Sequence, residues 1–268
     1  VAHLILVPTP IGNLSDITLR ALETLKNAEV IAAEDTRHSQ KLLGHYGIDK
    51  PLVRLDAHTI AGRAEGVLSK YKRIAFITDA GTPGISDPGT ELVQLALQRG
   101  DTVEVLPGAT AFVPALVLSG LMTARFTFEG FLPRKGGSRQ ERLEAIAKSS
   151  ATSILYESPQ RLVATLQDLQ KVCGNREVSV SRELSKLHET TYRGAISKVM
   201  EQLGDKEVKG EIVIVVAGSS EEQQEIDFAA EAERLKNAGL QGRELREALG
   251  ALGAPRNLAY ELSVKAVK

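Results

Sequence analysis

The residues of this chain best suited to chemistry lie in loops that follow short apolar runs. VPTPIGNLSDIT (7–18) follows the first run, DAGTPGISDPG (79–89) a later one and PGATA (107–111) another. Glycine lets a backbone approach a ligand closely and proline fixes its shape. In open α/β sheets, ligands bind beyond the carboxyl ends of the strands. One such loop is ordinary turn chemistry, whereas three in one half of a chain predict a small-molecule site. Prolines donate no N–H, so the first loop is expected to hold its ligand by backbone shape and carbonyl contacts. Other chemistries lack their signatures. There is no G-x-x-x-x-G-K-[ST], no G-x-G-x-x-G after the first run and no G-x-S-x-G. His3, His38, His45, His58 and His188 have no metal-ligand spacing, so no metal is expected.

Two charged clusters stand apart from these loops. Glu34, Asp35 and Arg37 end the second apolar run. Arg134, Lys135, Arg139 and Arg142 flank Gly136 and Gly137, with only Glu141 opposing them. A flexible basic loop of this kind suits phosphate groups; the competing reading is a solvated loop entering a helix. Arg182 and Glu183 read as an ion pair tying a strand to a helix.

The elements that must position these residues follow from periodicity. HLILVP (3–8), VIAAE (30–34), PLVRL (51–55), RIAFIT (73–78) and TVEVLP (102–107) predict short buried strands. Between them, 17–28 spaces Ile17, Ala21, Leu22 and Leu25 at helical intervals, with Ser15 or Asp16 as its expected cap. Residues 91–100 repeat the scheme, with Gly100 as the stop signal. This alternation predicts a mostly parallel sheet covered by helices. A boundary is expected near 119–126. Beyond it, 125–133, 152–158, 178–184, 188–194 and 211–218 predict strands of a mixed sheet. The short gap that holds Ser185 and Lys186 suggests a hairpin. The polar, acidic stretch 219–227 reads as a linker. A helical module follows: 229–239, then 242–253 with Leu245, Ala248, Leu249 and Leu252 on one face, then a helix opened by Pro255 carrying Leu258, Ala259, Leu262 and Ala266. It reads either as a helix-turn-helix or as a small bundle. The expected division is 1–120, an α/β domain; 121–222, a mixed α/β domain; and 223–268, linker and helical module.

A net charge of −1 gives no global field for nucleic acid, leaving only local patches, such as a weak excess of basic residues over 240–268. The single cysteine, Cys173, excludes a disulfide within the chain, and cytoplasmic residence is the simplest expectation. No apolar run approaches the roughly 20 residues of a membrane span, and 1–8 reads as a strand rather than a signal peptide.

The ordered set VPTPIGNLSDIT, AAEDTR (32–37), DAGTPGISDPG, PGATA, EGFLPRKG (129–136), YESPQR (156–161), RELSK (182–186) and KGEIVIVV (209–216) resembles the tetrapyrrole methylase superfamily. Within it, the set is similar to the bacterial branch that methylates a cytidine 2′-oxygen of small-subunit (16S) ribosomal RNA. The resemblance runs from about Leu4 to Gly218. It implies two α/β domains, S-adenosylmethionine bent into the cleft between them, and a homodimer. It places Pro10 and Ile11 in the first cofactor loop, Asp79, Gly81, Thr82 and Ile85 in the second, and Thr110 and Ala111 in the third. Tyr156 falls where the second domain closes over the adenosyl group. Lys135 or Asp35 is expected to assist deprotonation of the ribose hydroxyl. Arg37 and Arg134 are expected to hold phosphates, together with Arg139 and Arg142 of the basic loop. His58-Thr59-Ile60 departs from the His-Asn-Glu of related sequences, which puts in doubt any role there that needs an amide or carboxylate. The competing functions are methylation of a precorrin-type tetrapyrrole and a non-catalytic role in RNA binding or assembly. In-line transfer gains about 7–11 kcal/mol from positioning, against about 3–5 from a general base, so loop geometry should dominate.

Overall fold

The structure, a computed structural model, describes residues 1–204, 208–219, 228–252 and 254–264. It divides into two units, Val1–Gly218 and Ser219–Lys268.

The first half of the larger unit carries a five-stranded parallel sheet. Its strands are β1 (His3–Leu6), β2 (Val30–Ala33), β3 (Leu52–Arg54), β4 (Arg73–Ile77) and β5 (Thr102–Val105), in the order β3-β2-β4-β1-β5. Successive side chains of a strand point to opposite faces, and the sequence uses both. Leu4, Leu6, Ala32, Ile74 and Phe76 face helices α3 (Ile60–Lys70) and α4 (Thr90–Gln98) through Ile60, Ala64, Leu68, Leu92 and Ala96. Ile5, Val7, Ile31, Ala33, Ala75 and Ile77 face α1 (Leu19–Asn27) and α2 (Thr36–His45) through Ala21, Leu25 and Leu43. Burial on both faces is why β1, β2 and β4 read as continuous apolar runs; β3 and β5, expected to be buried as well, are edge strands and only partly covered. The cap of α1 differs from expectation. Ile17 is extended, so the helix starts later and Thr18 accepts from Ala21 N. Asn13 instead accepts from Ser15 N and opens a single 3-10 turn over Leu14–Asp16.

The second sheet is mixed, in the order β6-β7-β10-β8-β9. It comprises β6 (Phe126–Phe131), β7 (Thr152–Glu157), β8 (Glu177–Arg182), β9 (Thr190–Ala195) and β10 (Ile212–Val216), with only the β6–β7 pair parallel. One face packs on α6 (Gly137–Lys148), α7 (Leu162–Cys173) and α8 (Ile196–Leu203). The other packs on α5 (Phe112–Ser119), whose Ala115 and Leu116 meet Ile154, Val213 and Val215. β8 and β9 pair antiparallel as expected, but the connection, 183–189, is longer than the expected gap. It turns through left-handed Glu183 and Ser185.

β6 contains a bulge. Phe128 pairs with Ile154 and Gly130 with Leu155, leaving Glu129 as an extra residue, while Gly130 takes a φ of +60°. Phe128 and Phe131 are three apart and would face opposite sides of a regular strand. The extra residue puts both against Tyr156, with ring centroids 5.0 and 5.7 Å away.

The smaller unit has helices α9 (Phe228–Asn237), α10 (Gly242–Ala251) and α11 (Arg256–Val264) around Ala232, Leu245, Leu249 and Ala259. Leu252, expected on the buried face, is 40% exposed because α10 has ended before it. Most of the linker, 220–227, and Ala266 lie outside the described residues.

Candidate active site

The three glycine- and proline-bearing loops are fastened to one another beyond the carboxyl ends of β1, β4 and β5. Thr9 and Gly81 exchange both backbone hydrogen bonds, each 2.9 Å, and Thr9 Oγ1 donates to Thr78 O at 3.2 Å. Gly81 has a φ of +81°, a conformation that disfavours side chains. Thr82 Oγ1 donates to Ala109 O at 2.9 Å, tying the second loop to the third. Gly108 packs on Pro8 so closely that a Cβ there would lie 2.6 Å from Pro8 Cβ, tying the third loop to the first. Polar groups satisfied within the loops fix the wall's shape.

This wall bounds a pocket of about 400 Å3, within the range of small-ligand sites. Ile11, Asp79, Gly81, Thr82, Ile85, Thr110 and Ala111 line it from the first sheet's side. Tyr156, Phe131 and the 210–213 segment line it from the second's. Eight of the nine expected cofactor residues therefore meet in one cavity. Pro10 is not among the lining residues, whereas its neighbour Ile11 is. Burial pushes the Tyr156 phenol up from its ordinary value, opposed by hydrogen bonding toward Thr110 and the Phe112 backbone.

RELSK and the KGE turn join the first loop to the second sheet. Glu183 fills the space a Cβ on Gly210 would occupy and accepts from Glu211 N at 3.0 Å. Lys186 pairs with Glu183 at 2.8 Å and Glu211 at 3.1 Å, and its methylenes lie over Gly12. Ser185 donates to Asp16. Glu183 thus pairs within its own turn, while Arg182 donates to Lys209 O and His188 O.

The site is acidic. Asp87 lines it, and its carboxyl is raised to about 6, first by burial and then by the charge of Glu34. Glu34 is itself raised by burial and by Asp79, whose backbone N–H it faces at 3.5 Å. Asp87 follows Ser86, a non-glycine residue with a φ of +63°; such strain persists where the surroundings over-determine it. The sequence reading quoted Asp87 within DAGTPGISDPG without assigning it a role. Only the fold shows that it faces Glu34 across the strand ends.

The expected catalytic residues, Asp35, Arg37 and Lys135, lie outside the pocket lining. Asp35 caps α2 by accepting from Arg37 N at 2.9 Å and pairs with the Arg37 guanidinium at 3.0 Å. These contacts hold its carboxyl down at about 2, making it a weak proton acceptor. Arg134 and Lys135 are exposed on the 132–136 loop, which follows Phe131, and neither has an acidic partner among the described residues. Arg139 and Arg142 sit on the inward face of α6 instead. Arg139 binds Asp168, Thr165 and Pro133 O. Arg142 binds the Glu129 carboxylate and carbonyl. Arg161 also donates to Leu132 O at 2.8 Å, so the base of the loop is buttressed while its tip is free. The departing His58-Thr59 segment is structural: Asp56 accepts from His58 N, Thr59 N and Thr59 Oγ1. Among the described residues there is no cluster suited to a metal ion and no helix long and apolar enough to cross a membrane.

Residues 3–200 match the family model of tetrapyrrole (corrin/porphyrin) methylases. A relative in Synechocystis sp., named ribosomal RNA small subunit methyltransferase I, is 44% identical over 98% of this chain and 97% of its own length. One of the same name in Bacillus subtilis is 40% identical over 95% and 90%. Among solved structures, a uroporphyrin-III C-methyltransferase from Thermus thermophilus, complexed with S-adenyl homocysteine, shares the fold with a TM-score of 0.58 at 21% identity, covering 81% of this chain and 97% of that one. Two α/β domains, three interlocked loops over one pocket and the extent of these matches agree, and the chain belongs to the tetrapyrrole methylase family.

Proposed function

We propose that this protein transfers a methyl group from S-adenosylmethionine to the 2′-oxygen of a cytidine in small-subunit (16S) ribosomal RNA. The pocket fits the co-substrate. Ile11, Ile85, Ile212, Val213 and Tyr156 offer apolar surface to an adenosyl group, and Asp79 and Asp87 offer negative charge to its cationic centres. When bound, it supplies an electrophilic methyl. The chain's own residues orient the partners and take the proton. Asp87, with a carboxyl near 6, is ionised at neutral pH yet basic enough to accept a hydroxyl proton. It replaces Asp35 and Lys135 as the favoured acceptor. Lys135, Arg134 and Arg37 are assigned to phosphates.

One observation supports a polyanionic substrate above all. The unpaired Arg134–Lys135 tip begins three residues after Phe131, which lines the pocket. The relatives' name points the same way. A homodimer is also proposed: Val113, Val117, Leu118, Met122 and Phe126 leave an exposed apolar patch on α5 and the start of β6. The proposed substrate makes the cytoplasm the site of action.

The test is methyl transfer from labelled S-adenosylmethionine to small subunits from cells lacking this protein, located by nuclease digestion and mass spectrometry. A 2′-O-methylcytidine product is expected. Absence of transfer to subunits or free rRNA, with co-substrate binding intact, would overturn the assignment in favour of a small-molecule methylase.

A further inference from the structure

The helical unit carries a groove unrelated to the pocket above. Arg243, Arg246 and Gly250 repeat along α10 on the face opposite the buried Leu245 and Leu249. α11 faces them with Arg256, Ala259 and Tyr260. Together they bound a groove of about 510 Å3 floored by Gly250, Ala254 and Ala259. Arg246 lies over the Tyr260 ring, 5.5 Å from its centroid, and the tyrosine is 56% exposed. Arg243 is partly neutralised by Glu247 at 2.8 Å, whereas Arg256 has no acidic partner among the described residues. The unit's basic and acidic residues are otherwise mixed, so this grouping is local.

We propose that this groove is a second RNA site that takes one or two nucleotides of a single strand, with a base stacked beside Tyr260 and its phosphates on Arg256 and Arg243. This rests on the assignment of RNA as the substrate. An exposed ring already flanked by a guanidinium is a stacking platform for any base. With Gly250, Ala254 and Ala259 in its lining, the groove has no bulky apolar side chain besides Tyr260 to bar a flat base. An acidic protein segment would need deep apolar anchor pockets, and the groove's lining contains none. The site lies on a unit with its own core, so it adds grip on the substrate without entering the reaction.

The experiment uses the full chain and a fluorescein-labelled single-stranded RNA 12-mer, read by fluorescence anisotropy over a salt series. Tyr260→Ala is expected to weaken binding about 5- to 100-fold, and Tyr260→Phe to restore it, because stacking needs the ring and not the hydroxyl. Arg256→Ala should lower the slope of log affinity against log salt by about 0.7. Unchanged affinity in Tyr260→Ala and Arg256→Ala, with helical content intact by circular dichroism, overturns the proposal. So does a polyglutamate peptide that binds the full chain tighter than the 12-mer and loses affinity in both variants. None of these readings depends on methyl transfer, so the proposed reaction can fail while the groove is confirmed, and the converse.

Discussion

Asp87→Asn should make the protein more stable and less active at once. The Asp87 carboxyl rises from 3.8 to about 6 because burial and the nearby Glu34 disfavour its charge. The folded state therefore holds an extra proton between about pH 4 and 6. Stability falls as pH rises through that window and stays at its lower level above 6. A rise of about two pH units, at about 1.36 kcal/mol each, sets a ceiling of about 3 kcal/mol. Solvent reaches this half-buried carboxylate, which reduces the figure to about 1 kcal/mol. Asparagine keeps the shape and removes the charge, so at pH 8 without ligand the variant should melt about 2–4 °C higher. At pH 4 the two proteins should melt together. Thermal denaturation at both values measures this, and methyl transfer at pH 8 should fall by about 10²–10⁴. A variant that is less stable at pH 8, or shifted equally at both pH values, would refute the electrostatic reasoning. Stabilisation with an unchanged rate would leave the charge cluster real and remove Asp87 as proton acceptor.

Other outcomes follow from the same geometry. The wild-type kcat/KM should fall on the acid side with a midpoint near 6, as Asp87 protonates; a midpoint below 5 would exclude it. Gly81→Val, which forces a side chain into a φ of +81°, should abolish turnover, whereas Lys135→Ala should retain a measurable rate; comparable residual activity in the two would contradict the primacy of loop geometry. Gly108→Ala should weaken co-substrate binding by calorimetry, because its Cβ would meet Pro8 at 2.6 Å. Arg139→Ala should lower stability by about 2 kcal/mol, less than a fully buried pair because Asp168 is partly exposed. Arg134→Ala should leave the melting point alone and raise KM for subunits, and a denaturant series with steady-state kinetics separates the two.

The parts of this protein legible in its sequence are those set by local pattern. The five runs of the first sheet, Gly100 as a helix stop and the three loops all follow from periodicity and turn chemistry. Eight of the nine expected cofactor positions converge because each sits in a loop whose place at a strand end is itself a local property. What sequence spacing could not resolve depends on partners far along the chain. Arg139 and Arg142 look like a basic patch with Arg134 and Lys135 until Asp168 and Glu129 are brought opposite them by α7 and β6. Asp35 is a local exception: it looks like a free carboxylate until the start of α2 turns Arg37, two residues on, back onto it. Asp87 gains its unusual proton affinity from burial first and then from Glu34, a residue 53 positions earlier in the chain. The Lys186 contact over Gly12 had no signal at all in spacing or composition.

The bulge in β6 lets the chain's length change by one residue without changing what stands at the pocket mouth. Side chains alternate along a strand, and the bulge absorbs the odd residue: removing Glu129 would leave Phe128 and Phe131 two apart on a regular strand, still on the Tyr156 face. Substituting Glu129 would preserve the phase as well, and either change would cost the Arg142 pair. Among diverging copies of this fold, this segment should therefore accept both exchange and loss of the bulge residue while Phe131 stays opposite Tyr156.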